Sequence, residues 1–185
     1  MNSINSVIQK FRVGLLKRGF KAGIVDFGRR LKKPGRLILL LPSDGNRRRE
    51  ILKEAAGIPK LFPESEICLV SLPDDAVRET ARKEGFRSFA PHQMEMSWYG
   101  LPRKPFFIRI QNLKGDMVID LDDSRNCFNA AVSVSSGAPV RIGLYGLWGP
   151  PVHNVEVRSG GSSENSKEFQ PLLTLLSSMG IAVSN

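Results

Sequence analysis

The sequence predicts an α/β fold: one doubly wound, mostly parallel sheet with helices on both faces, preceded by amphipathic helices. Three observations lead there. Short β-rich apolar runs recur along the chain, segments of helical period lie between them, and Gly, Pro, Asp and Asn punctuate the joins. Strands that alternate with helices pair in parallel, because each helix carries the chain back across the sheet. With 185 residues there is room for one substantial core. The 41% hydrophobic and 24% charged content excludes wholesale disorder and fibrous repeats. The organisation expected is a basic helical arm over residues 1–35, the α/β domain over 36–158, and a linker with a C-terminal helix over 159–185 that packs on the domain.

In the arm, Val7, Ile8, Phe11 and Leu15 recur at helical spacing, and after Gly19 so do Phe20, Ile24, Phe27 and Leu31. Pro34–Gly35 ends the arm. Arg36–Leu41 reads as a buried strand, stopped by Pro42 and the turn Ser43–Asp44–Gly45–Asn46. Residues 47–61 carry a helical pattern through Ile51, Leu52, Ala55, Ala56 and Leu61, weakened late by Gly57 and Pro59. Ile67–Leu72 is the second strand; Pro73 and Asp74 open a helix over 74–84 that Gly85 closes; Phe86–Phe89 is the third strand. Residues 90–105 hold three prolines and no clean period, which predicts a loop with helical turns. Residues 106–113 are compatible with helix or strand. Met117–Leu121 is a fourth strand, Cys127–Ser135 a helix, Val140–Leu144 a fifth strand and Val152–Val157 a weaker sixth. Ser159–Ser166 reads as a linker, and Phe169–Met179 as a last amphipathic helix capped by Gly180.

The formal net charge of +9 is segregated. Residues 1–36 hold ten basic residues and one acid, Asp26, whereas the rest of the chain carries 17 of each sign. Clustered cations concentrate anionic surfaces within a Debye length, so the arm is the segment that seeks an anion. Its candidate contacts are Lys10, Phe11, Arg12, Lys17, Arg18, Lys21, Arg29 and Arg30. A basic amphipathic helix with Phe and Leu on one face can lie in a lipid interface, each cation adding about 1 kcal/mol against an anionic leaflet. The same face can instead dock on its own domain or on a partner protein. Nucleic acid is not expected, because the domain is neutral and its aromatics follow no recognition-motif spacing. The longest strong apolar run, Leu37–Leu41, has five residues, against about 18 needed to span a bilayer. The arm has neither the apolar core nor the cleavage pattern of a secretion signal.

Reactive centres are sparse. Cys68 and Cys127 lack CxxC spacing, so no disulfide framework or zinc site is expected, and the setting is expected to be reducing and cytoplasmic. His92 and His153 have no second ligand at zinc spacing. Asp120, Asp122 and Asp123 end the fourth strand, where such residues either hold a divalent cation or cap the next helix; capping is the expectation, with no metal and no cofactor. No GxSxG surrounds Ser133, Ser135 or Ser136, and no GxGxxG follows a strand, which leaves neither a hydrolase nor a dinucleotide reading. In doubly wound sheets ligands bind beyond the carboxyl ends of the strands. That directs attention to residues 43–49, where Arg47, Arg48 and Arg49 open a helix whose N-terminal dipole is positive. Ser43, Asn46, Arg47, Arg48 and Arg49 are therefore candidates for an anion- or acceptor-binding cradle; the alternative is a solvated turn with surface arginines.

Four stretches, taken in order, resemble a known family. They are Leu37–Pro42 with its polar turn, helix and Leu61–Ile67 (LFPESEI); Asp116–Leu121 (DMVIDL); Ser135–Gly143 (SSGAPVRIG); and His153–Asn154 through Leu173–Gly180. This series is similar to the amino-terminal half of the family 9 glycosyltransferases, the bacterial lipopolysaccharide heptosyltransferase relatives, and covers about residues 36–181. The resemblance implies a Rossmann-like acceptor domain, one half of a GT-B fold. In that family a second domain binds the nucleotide-sugar donor, and a counterpart is not found in these residues. An Asp in the first loop serves there as the presumed base on the acceptor hydroxyl, at a position that falls near Asn46 or Arg47 here. Glycosyl transfer needs a base within hydrogen-bond reach of the acceptor oxygen and stabilisation of the leaving diphosphate. Asn46 cannot be that base, and the nearest carboxylate, Asp44, lies two or three residues early. The resemblance therefore implies a module that is catalytically silent alone and does not bind a nucleotide-sugar without a partner chain. It would act as an interaction or accessory subunit, peripheral on the inner membrane or in a membrane complex, through residues 1–36. The alternative is the acceptor-binding half of a split glycosyltransferase for lipopolysaccharide-type glycans.

Overall fold

The computed structural model describes residues 3–20, 33–55 and 57–158. Helix α1 (Ser3–Gly19) precedes β1 (Arg36–Leu40), α2 (Gly45–Ala55), the single turn α3 (Ile58–Leu61), β2 (Glu66–Val70), α4 (Asp75–Glu84) and β3 (Arg87–Phe89). Then come α5 (Lys104–Gln111), β4 (Met117–Asp120), α6 (Cys127–Ser135), β5 (Val140–Leu144) and β6 (Val155–Val157). All strand pairs are parallel, in the order β3-β2-β1-β4-β5-β6, so the doubly wound α/β expectation is met. The arm's second helical segment beyond Phe20, with Lys21, Arg29 and Arg30, lies outside the described residues, as do the Ser159–Ser166 linker and the Phe169–Met179 helix.

The central strands are apolar at nearly every position because both faces of the sheet are covered. Leu37 and Leu39 of β1 join Ile51, Leu52, Val77 and Ala81 of α2 and α4 on one face. Ile38 and Leu40 point the other way, onto Phe106 and Ile110 of α5 and Phe128 and Val132 of α6. Period-two alternation thus serves two cores at once.

Three boundaries differ from expectation for local reasons. The helix expected over 47–61 begins earlier, since the Asp44 carboxylate accepts the Arg47 backbone N–H at 2.8 Å, and it stops at Ala55 before resuming as α3 beyond Gly57. The ambiguous segment 106–113 belongs to a helix that starts at Lys104; Pro105 sits in its first turn, where a missing N–H is no loss, and Phe106 and Ile110 bury one face. The sixth strand is shorter than Val152–Val157, because Val152 packs among Val13, Leu101, Ala130 and Ala131 instead of pairing with β5.

That last cluster is a third layer. α6 is buried along its whole length: the sheet covers Phe128 and Val132, and α1 lies over Cys127, Ala130, Ala131 and Val134. Alanines at the contact let the two helices approach closely.

Candidate functional site

The strand order reverses between β1 and β4, so the loops that leave their carboxyl ends diverge and open the crevice where such folds bind ligands. Here the crevice is stitched by Asp122. Its Oδ2 accepts from the Ser43 backbone N–H (3.1 Å), the Ser43 hydroxyl (3.5 Å) and Asn126 Nδ2 (2.9 Å), and its Oδ1 accepts from the Ser124 N–H (2.9 Å) and hydroxyl (2.6 Å). The cap of α6 is Asn126, which accepts the Phe128 and Asn129 N–H groups. The aspartate cluster therefore does not cap that helix as expected; Asp122 lies too early in the chain and is committed to loop donors. Among the described residues no group of three or more His, Cys, Asp or Glu is placed to hold a metal.

Ser43, Asp44, Asn46, Arg47, Arg48 and Arg49 are brought together in the β1–α2 loop and the first turns of α2. Local acceptors meet each arginine, however. Arg47 pairs with Glu50 (3.1 Å) and Asp123 (3.3 Å). Arg48, buried, pairs with Asp74 (2.8 Å) and donates to the Pro42 carbonyl (3.0 Å). Arg49 donates to Asn46 Oδ1 (3.3 Å). An anion arriving here competes with carboxylates already in place, and Asp44, the nearest carboxylate to the expected base, is engaged in starting α2.

Sequence reasoning missed a buried polar knot at the end of β4. Asp120 Oδ2 lies 3.1 Å from His153 Nε2, both side chains sealed from solvent. Asp120 Oδ1 accepts from Asn129 Nδ2 (2.7 Å) and the Asp122 N–H (3.2 Å), and Asn129 also donates to the Leu41 carbonyl (3.3 Å). Burial pushes the Asp120 carboxyl up from its ordinary value, while the bonds from His153, Asn129 and the Asp122 backbone oppose that rise. Sealed from solvent, the knot joins β4, α6 and the β5–β6 connection. The available signal was an Asp inside an otherwise apolar strand, Met117–Leu121, since a buried carboxylate requires donors.

The arm adds a different kind of feature. α1 docks through Val13, Leu16 and Gln9, whose amide donates to the Tyr99 carbonyl, and Lys17 donates to the Trp148 carbonyl (3.1 Å). The stripe singled out from periodicity faces outward: Val7 is 66% and Phe11 64% exposed, and Ile4, at 68%, extends it. Lys10 and Arg12 flank the stripe, Arg18 lies beyond its end, and α1 contains no acidic residue. The Arg12 guanidinium stands 5.9 Å from the Tyr99 ring centre, and Trp98, 72% exposed, packs edge-on against Tyr99. Below Leu15, α1 and the body enclose an open cleft of about 690 Å³.

No protein-family model matches this chain, and no curated protein matches it.

Proposed function

We propose that this protein is a peripheral membrane module: an α/β domain, similar to the acceptor half of a family 9 glycosyltransferase, that α1 holds on an anionic lipid surface. One observation carries the reading. Four large apolar side chains, Ile4, Val7, Phe11 and Leu15, stand outward on a helix whose opposite face is already docked on α6. Soluble surfaces rarely keep such a contiguous patch uncovered. A ridge of this kind suits a fluid interface, where each side chain that becomes buried gains about 1.5–3 kcal/mol. Cations flank the ridge with no intervening acid, and the exposed Trp98, which packs on the Tyr99 ring that faces Arg12, has the amphipathic ring favoured at headgroup depth. Among the described residues no helix is long and apolar enough to cross a membrane, so the attachment proposed is to the surface.

The domain is proposed to be silent in sugar transfer by itself. Asp44 serves the start of α2, and the arginines beside it are matched by Glu50, Asp74, Asp123 and Asn46. A second reading, the acceptor half of a split transferase, draws on the crevice at the strand reversal, where the exposed Ser43 and Ser124 frame the Asp122 loops.

Vesicle sedimentation tests the proposal. The chain should bind phosphatidylglycerol vesicles more tightly than phosphatidylcholine vesicles, and Val7→Glu/Phe11→Glu should weaken binding by more than about tenfold with no loss of thermal stability, since both residues are exposed. Salt should weaken attachment without abolishing it, because the apolar contribution is unscreened. Equal binding by the double variant would sink the membrane half of the proposal, and sugar transfer by the purified chain alone would sink the other half.

A further inference from the structure

The cleft between α1 and the body lies beside, not within, the outward stripe, and its chemistry is specific. Leu16 of α1 and Phe20 just beyond it line the cleft together with Leu101, Phe107 of α5 and Val134 of α6. Its volume of about 690 Å³ falls within the range of small-molecule sites, roughly 300–1,000 Å³. Among the described residues no acidic side chain lines it, and Arg12 is the charged side chain that does. Arg12 is exposed, stacks over Tyr99 and has no carboxylate partner among the described residues. Among the described residues, Gln111, Ser135 and Tyr99 add polar side chains to the lining. An apolar cleft that has a guanidinium among its described lining is complementary to a molecule with a long apolar body and one anionic terminus.

We propose that this cleft binds a single acyl chain, with its anionic head on Arg12. Leu15 belongs both to the cleft and to the outward stripe, so a chain leaving a bilayer reaches the trough along α1. The inference draws on the membrane reading for the origin of the ligand, not for the chemistry of the cleft. Free fatty acids and single-chain phospholipids share that chemistry.

A titration of the full chain with a fluorescent polyene fatty acid in vesicle-free buffer, then displacement with saturated acids of increasing length, tests it. Saturable binding is expected, with affinity rising by at most about fourfold per added methylene until the trough is full. Arg12→Gln should weaken acids about tenfold and leave the matching fatty alcohol unchanged. Gln111→Trp, a substitution at an exposed lining position, should block acids and alcohols alike in a protein with unchanged melting temperature. Mass spectrometry of protein recovered from vesicles containing lysophosphatidylglycerol reports the second source; carriage of either molecule supports the proposal. Absence of saturable binding of either, as when the chain's own residues fill the cleft, overturns it, and so does binding that Gln111→Trp leaves intact. Phe11→Glu separates the two proposals: it lies outside the cleft, so it should lose vesicle attachment while retaining fatty-acid binding.

Discussion

At Gly143 in β5 a side chain is forbidden by packing, not by backbone angle. A Cβ there would stand 2.2 Å from the His153 ring, so the glycine makes room for the imidazole that meets Asp120. Gly143→Ala must expel His153 and leave a sealed carboxylate short of a donor, at a cost of about 3 kcal/mol or more. In a His153→Ala background the same methyl has space to occupy and should cost little. Urea denaturation of the four proteins measures this cycle. An undiminished penalty in the His153→Ala background would show that the ring is not the obstacle. Cys68 also belongs to this scale: burial pushes its thiol up to about 11, so this cysteine is a small apolar core group and not a nucleophile.

At the scale of elements, α4 shows how one residue links two helices. Asp74 caps α4 by accepting the Ala76 and Val77 N–H groups, Gly85 ends it in the left-handed conformation, and the other Asp74 oxygen holds Arg48 of α2. Asp74→Asn keeps the cap and loses the ion pair; Asp74→Ala loses both and leaves a buried guanidinium short of its acceptor. The expected costs are about 1 kcal/mol more for Ala than for Asn, from the cap, on top of a shared loss from Arg48. Thermal unfolding of the two variants checks the order. Indistinguishable variants would mean that the cap contributes nothing. The α1–α6 pair illustrates the complementary point that a helix without a polar face requires cover on both sides.

For the whole molecule, two carboxyl groups shifted in opposite directions contribute to the pH dependence. Glu66 ties together the starts of three strands: Arg87 donates to one oxygen (2.7 Å) and Arg36 to the other (2.7 Å from Nε), and these bonds, Arg87's first, hold its carboxyl below the ordinary value. Its folded pKa is thus below the unfolded one. The stabilisation is complete above the unfolded value, about 4.3, and is lost as pH falls through the folded value. Asp120, raised by burial, acts in the other direction: its contribution is present below its unfolded pKa and fades as pH rises through the folded one. Glu66 is a third exposed, so water screens its pairs, and Glu66→Gln should cost only about 1 kcal/mol at pH 7. The gap to wild type should narrow as pH falls below the unfolded value and close once Glu66 is protonated in the folded state, as read from urea midpoints. A gap that persists in acid would assign the loss to something other than charge.

The order of elements was legible because period and punctuation are local. The apolar run Arg36–Leu41, the Asp74 and Gly85 caps, and Cys127–Ser135 each declared themselves through residues a few positions apart. So was the segregation of charge into the arm. Sequence could also nominate residues 43–49 as a site, but not the pairing of Arg48 with Asp74 or of Arg47 with Asp123, since partners 26 and 76 positions away are chosen by the sheet order. The same holds for Asp120 with His153, and for which face of α1 meets the body. Periodicity finds a helix's apolar stripe; it cannot say whether that stripe or the opposite face is buried. That depends on the shape of the surface it lands on, here the small residues of α6 that receive Val13 and leave Val7 and Phe11 in solvent.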